Sequence, residues 1–102
     1  MNEKASTMEQ AITARLQEVI DPETSIDVLR MRLVEDLAVD EATGVVRYRF
    51  RPSSPLCPMA VTLVLRIRDA VATVPGVTAQ EVEVVGYVGA EELNALLREN
   101  AS

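Results

Sequence analysis

Residues 45–51 read Val-Val-Arg-Tyr-Arg-Phe-Arg. From Val46 onward apolar and basic side chains alternate without a break. A period of two puts Val46, Tyr48 and Phe50 on one face and Arg47, Arg49 and Arg51 on the other. Such a strand needs a sheet that is covered on one side and wet on the other. The rest of the chain must therefore supply partner strands and a helical layer for the apolar face.

The helical pieces are legible from their spacing. Ser6 or Thr7 can cap a first helix, with Glu9 or Gln10 completing a capping box. Ile12, Leu16, Val19 and Ile20 share one face. Pro22 disfavours helical geometry at Asp21, so this helix is expected to stop near Ile20. A second helix is expected over residues 58–74, with Pro58 in its first turn. Its apolar stripe is Val64, Ile67, Val71 and Val74; Thr62, Arg66, Asp69 and Thr73 form the polar one. A final helix over residues 90–100 places Leu93, Leu96 and Leu97 on one face.

Two further strands complete the sheet. One spans residues 34–39, followed by the turn "DEATG", where Gly44 can take positive φ. The other lies in "VTAQEVEVVGYV", with Val82 and Val84 inward and Glu81 and Glu83 outward. The expected architecture is an α/β (α+β) two-layer sandwich of order α-β-β-α-β, with a small mixed sheet and an extra C-terminal helix. Residues 1–5 read as a disordered tail and 6–102 as a single domain; the strand order stays open.

Charge excludes some functions. Net charge is −6 at pH 7, the wrong sign for a sequence-independent grip on nucleic acid or an anionic membrane. No run approaches the roughly 18–20 apolar residues that a membrane helix needs. The opening "MNEKASTMEQ" has no apolar core of a signal peptide. The cytoplasm is the expected compartment. The Arg47, Arg49, Arg51 stripe reads best as a solvated face paired with Glu35, Glu81 or Glu83.

The chain has no histidine and one cysteine. Ser-His-Asp, Cys-His and HExxH chemistry are thereby removed. Attention falls on "RPSSPLCPMAVTL", residues 51–63, which holds Cys57 between Pro55 and Pro58. Its expected position is at or next to the N-cap of the second helix. Free N–H groups and the helix dipole favour an anion there, and a thiolate is both nucleophile and metal ligand. The plainer alternative is a packed cysteine in a loop punctuated by prolines. Asp21 and Glu23 flank Pro22 as a second, weaker candidate: an acidic pair, or a turn residue beside a solvated one.

Three segments in order resemble a known family. They are "VIDPETSI", "RLVEDLAVDEATGVVRYRFRPSSPLCPMA" and "VATVPGVTAQEVEV". Together they are similar to the PaaD/SufT-like iron–sulfur cluster assembly domains, over roughly residues 12–86. Asp21, Pro22 and Glu23 match that family's DPE. Leu33 and Val34 match its strand entry. Ser53, Ser54 and Pro55 stand where Thr, Thr and Pro are usual, Cys57 and Pro58 match its Cys-Pro, and Pro75, Gly76 and Val77 its last element. The chain departs from the pattern at Leu56, where glycine is usual, and in lacking a tryptophan near the C-terminus.

The resemblance implies an α-β-β-α-β fold and a role in maturing iron–sulfur or other metalloproteins. It also implies a functional cysteine loop of Cys57, Pro58, Ser53 and Ser54, with Cys57 as metal ligand or client contact. A transient iron–sulfur cluster is the implied cargo. Client metalloproteins, other assembly proteins and a second copy of the chain are the implied partners. One thiolate cannot hold a cluster that usually takes four cysteines, whereas a homodimer would supply two. A non-enzymatic assembly factor is the first expectation. A protein–protein adaptor of a metal-dependent oxygenase system, binding no metal itself, is the alternative. A thiol enzyme ranks last, without a resolving cysteine or a histidine base.

Overall fold

The computed structural model describes residues 7–99 apart from Glu23 and Cys57. The expected tail, a cap at Ser6 and a helix end at Asn100 lie outside the described residues.

The elements are α1 (Thr7–Leu16), β1 (Val34–Asp40), β2 (Val45–Phe50), α2 (Ala60–Ala72), β3 (Ala79–Val84) and α3 (Ala90–Glu99). β2 is the central strand of a three-stranded sheet of order β1-β2-β3. It pairs antiparallel with β1 and parallel with β3. The short β1–β2 turn allows the first pairing; the second needs a crossover, which α2 provides. The mixed two-layer sandwich expected from the alternation is the one found.

The turn works as its residues suggest. Gly44 has φ 81°, and a Cβ there would collide with the Gly76 carbonyl oxygen. Glycine suits both the conformation and the close approach of the β1–β2 and α2–β3 turns. In the same turn Glu41 accepts a hydrogen bond from the Met8 N–H at 3.2 Å. That carboxylate sits on the positive end of α1, the sign a helix dipole favours.

The core is aliphatic. Val46, Tyr48 and Phe50 pack with Ile12 and Leu16 of α1, Leu63, Val64, Ile67 and Val71 of α2, and Leu93 and Leu97 of α3. The opposite face carries the expected ion pairs. Arg47 meets Glu81 at 2.9 Å, Arg49 meets Glu83 at 3.2 Å, and Arg51 meets Glu35 at 3.1 Å. Arg49 also reaches Asp36 at 3.5 Å. Asp36 has φ 55° where the β1 register shifts between Glu35 and Ala38. This bulge bends the β1 edge, and aspartate tolerates the left-handed backbone better than most residues.

Some boundaries and one helix face differ from expectation. α1 ends at Leu16 rather than near Ile20, because Val19 turns into the core and Ile20 bridges to Asp27. α2 starts at Ala60, with Met59 as N-cap and no side-chain cap. Pro58 thus precedes the helix instead of opening it. The core requires Ala60, Leu63 and Val64 to face inward, which sets where the helix begins. Leu96 is not part of the buried face of α3. It is 44% exposed, while Leu93 and Leu97 are 4% exposed, because it lies off the narrow stripe that meets the core.

Candidate functional site

Two loops carry the sequence candidates. The first is "DPETSI". The Asp21 N–H donates to the Ile26 carbonyl at 3.0 Å, and the Asp21 carbonyl accepts from the Ser25 N–H at 2.7 Å. Val28 N–H closes the loop on the Val19 carbonyl at 3.0 Å. Ser25 takes φ 62° to make the bend. Asp21 is a turn residue, but not a solvated one: it is 1% exposed and is the buried charged residue among those described. Glu23 lies outside the described residues, so the acidic pair is represented by Asp21 alone.

The second loop runs from Arg51 to Met59 and joins β2 to α2. Its start is tied by the Arg51 N–H to the Leu33 carbonyl at 2.8 Å. Pro52 is buried beneath it. Ser54 Oγ accepts the Leu56 N–H at 3.2 Å, a hydroxyl holding a turn locally. Ser53 is exposed beside it. The Pro55 carbonyl accepts the Val88 N–H at 2.8 Å, and the Met59 carbonyl accepts the first α2 bond from the Leu63 N–H at 2.8 Å. Cys57 lies outside the described residues; its neighbours on both sides are held at these points. The described residues on either side, Leu56 and Pro58, are exposed.

One chain of backbone bonds connects the two loops. Val28 accepts from Leu33, and Leu33 accepts from Arg51. The DPE loop and the base of the cysteine loop are therefore anchored to the same residue at the entry to β1. Leu33 itself is buried, 2% exposed, so the shared anchor is fixed by the core.

Sequence reasoning missed Val88. It is 74% exposed and Leu56 is 73% exposed, and the Val88–Pro55 bond brings their two loops together. A valine between glycines in "GYVGA" was the available signal. Among the described residues no three His, Cys, Asp or Glu side chains gather as a metal site.

Tyr48 is the group with a distinct electrostatic setting. It is 3% exposed, and its hydroxyl donates to Gln80 Oε1 at 2.8 Å. Burial pushes its phenol well above the ordinary tyrosine value, and the nearby Arg68 charge pulls weakly the other way. It stays a neutral donor inside the helix–sheet layer.

Comparison with known proteins bears on both loops. A family profile described as iron–sulfur cluster assembly protein matches residues 9–84, which include both. Protein MJ1129 of Methanocaldococcus jannaschii is 32% identical over 93 residues, covering 91% of this chain and 96% of that protein. The Fe-S protein maturation auxiliary factor YitW of Bacillus subtilis is 32% identical over 78 residues, covering 76% of each chain. A crystal structure of the domain of unknown function DUF59 from Bacillus anthracis superposes with a TM-score of 0.69 at 35% identity. It covers 76% of this chain and 74% of that one.

Proposed function

Because this chain belongs to the iron–sulfur cluster assembly protein family, we propose that it matures client metalloproteins through the loop that carries Cys57. The observation that carries this reading is the framing of that loop. It is tied to β1 at Arg51, to the C-terminal segment at Pro55 and to α2 at Met59. A loop held at three points fixes where its described residues, Leu56 and Pro58 among them, stand relative to the sheet and α2.

In this reading Cys57 is a transient ligand or client contact. Ser54 holds the turn before it, Ser53 lies in the same loop, Pro58 follows it, and Asp21 with Glu23 forms a supporting acidic motif. The cluster is cargo. One thiol per chain makes a weak, open site, suited to delivery and unsuited to storage. A second copy of the chain would bring a second Cys57, and the client or another assembly protein would complete the ligand set. The protein works as an auxiliary factor, not as an enzyme, and in the cytoplasm.

A second reading draws on the exposed Leu56 and Val88. An apolar pair beside the cysteine loop suits an adaptor that docks a client and never touches iron. Anaerobic reconstitution with iron and sulfide, on wild type and Cys57→Ser, separates the two. A visible chromophore lost in Cys57→Ser, together with loss of client maturation, is expected. Client maturation that survives Cys57→Ser but fails in Leu56→Ser/Val88→Ser would transfer the function to the adaptor reading.

A further inference from the structure

β3 is an edge strand, and its outer backbone groups are only partly used. Val85 N–H donates to the Phe50 carbonyl at 2.9 Å, so the odd-numbered residues at the end of β3 aim their backbone at β2 and the even-numbered ones aim away. Val84 is closed by a side chain of α3: its N–H donates to Asn94 Oδ1 at 2.7 Å, and its carbonyl accepts from Asn94 Nδ2 at 3.1 Å. Gln80 and Val82 share the phase of Val84, and among the described residues no hydrogen bond closes their N–H and C=O. A groove of about 770 Å³ runs beside them. An open edge of this kind is where an extended segment can add as a strand.

The two sides of the edge differ in charge. On the outer face the carboxylates are already engaged: Glu81 by Arg47 at 2.9 Å, and Glu83 and Asp36 by Arg49 at 3.2 and 3.5 Å. That row of pairs calls for no charge from a newcomer. On the helix side the groove is bordered by Arg68 of α2 and by Leu97 and Arg98 of α3. Gln80 Nε2 donates to the Arg68 carbonyl at 2.9 Å, which places that turn of α2 at Gln80. Arg98 is exposed, and among the described residues it makes no ion pair. No carboxylate borders the groove beyond the three on the outer face. The helix side is therefore cationic at its rim and apolar at Val82 and Leu97.

We propose that the Gln80–Val82 edge of β3 accepts an extended segment of a partner protein that carries an aspartate or glutamate two residues from an aliphatic one. Residues two apart share a face of a strand, so both side chains would enter the helix side of the groove. The aliphatic one would lie along Val82 and Leu97, and the carboxylate would face the arginine rim. A second copy of this chain fits poorly. Antiparallel pairing of two β3 edges puts both helical layers on the same side of the joined sheet. The arginine rims would then face each other, and the side chains that β3 itself sends to that side, Gln80, Val82 and Val84, include no carboxylate to offset them.

The test uses the full, isotope-labelled chain and a short synthetic peptide. In it valine and glutamate take turns at every second position, with threonine between. The control has lysine in place of glutamate. The glutamate peptide is expected to slow amide exchange at Gln80 and Val82 by about tenfold or more, and the lysine peptide to do so far less. Arg98→Glu, a change at an exposed helical position, should weaken the glutamate peptide by about fivefold and reduce its salt dependence. Val82→Pro should abolish protection, since proline removes the outward N–H without breaking a bond to β2. Should that variant not fold, Arg98→Glu still decides the matter. Equal response to both peptides, or glutamate-peptide binding that leaves Gln80 and Val82 unprotected, overturns the proposal. So does self-association that protects the same two amides, which would hand the edge to a second copy. Cys57→Ser should bind the glutamate peptide as wild type does, so this surface stands or falls apart from the cysteine loop.

Discussion

Tyr48 shows how one side chain links packing to pH. Its apolar position in "VVRYRFR" placed it in the core, and its hydroxyl found Gln80 there. Burial raises its folded pKa above its ordinary value of 10.0. The stabilising contribution of the neutral phenol is therefore complete below that value and is lost as pH rises above it, because the unfolded chain releases the proton first. The share of the alkaline loss due to this group is up to about 1.4 kcal/mol per pH unit. Tyr48→Phe should cost about 1 kcal/mol at neutral pH through the lost hydrogen bond, yet flatten the alkaline decline. Urea midpoints of both proteins across the alkaline range check this; parallel declines would refute it. Not every residue is legible in this way. That Arg47, Arg49 and Arg51 share a wet face able to meet Glu35, Glu81 or Glu83 could be read from alternation, since a strand's faces follow from parity; which pairs form depends on register. The burial of Asp21 could not, because it depends on how a turn folds back between Val19 and Val28.

At the scale of elements, α3 does more than cover the core. Asn94 clamps both backbone groups of Val84, so α3 finishes the sheet edge that β3 leaves open. Asn94→Ala should leave two strand groups without that partner. Where such groups are shielded from water, the cost is about 1–3 kcal/mol. Faster amide exchange at Val84, with Val85 unchanged, is the local readout. The helix itself was visible from Leu93 and Leu97 at i, i+4. The clamp was not, since an asparagine in a polar stretch has no marker of what it will face. The start of α2 has the same cause. Pro58 fits a first helical turn by propensity, but inward placement of Ala60, Leu63 and Val64 fixed the start two residues later.

Among the described residues, sheet and helices share one hydrophobic core. Ile67, 0% exposed, lies in the middle of α2, where it faces the sheet. Ile67→Ala should cost about 2–5 kcal/mol, a large part of the roughly 5–15 kcal/mol by which a domain is stable. Thermal unfolding should shift down as one transition in far-ultraviolet circular dichroism and tyrosine fluorescence alike. Separate transitions would mean that α2 and the sheet do not share a core.

The order of elements, the apolar face of β2 and α2 and the charged outer face of the sheet follow from the sequence by itself, because the periods 2 and 3.6 are local properties of the backbone. The cysteine motif and its family likeness are likewise written in the order of residues. Tertiary structure alone decided the strand order β1-β2-β3, the joint anchoring of the DPE and cysteine loops through Leu33, and the open edge at Gln80 and Val82. Each depends on which backbone groups meet across the fold. Local preference cannot specify that, since every strand carries the same donors and acceptors and only packing selects among their partners.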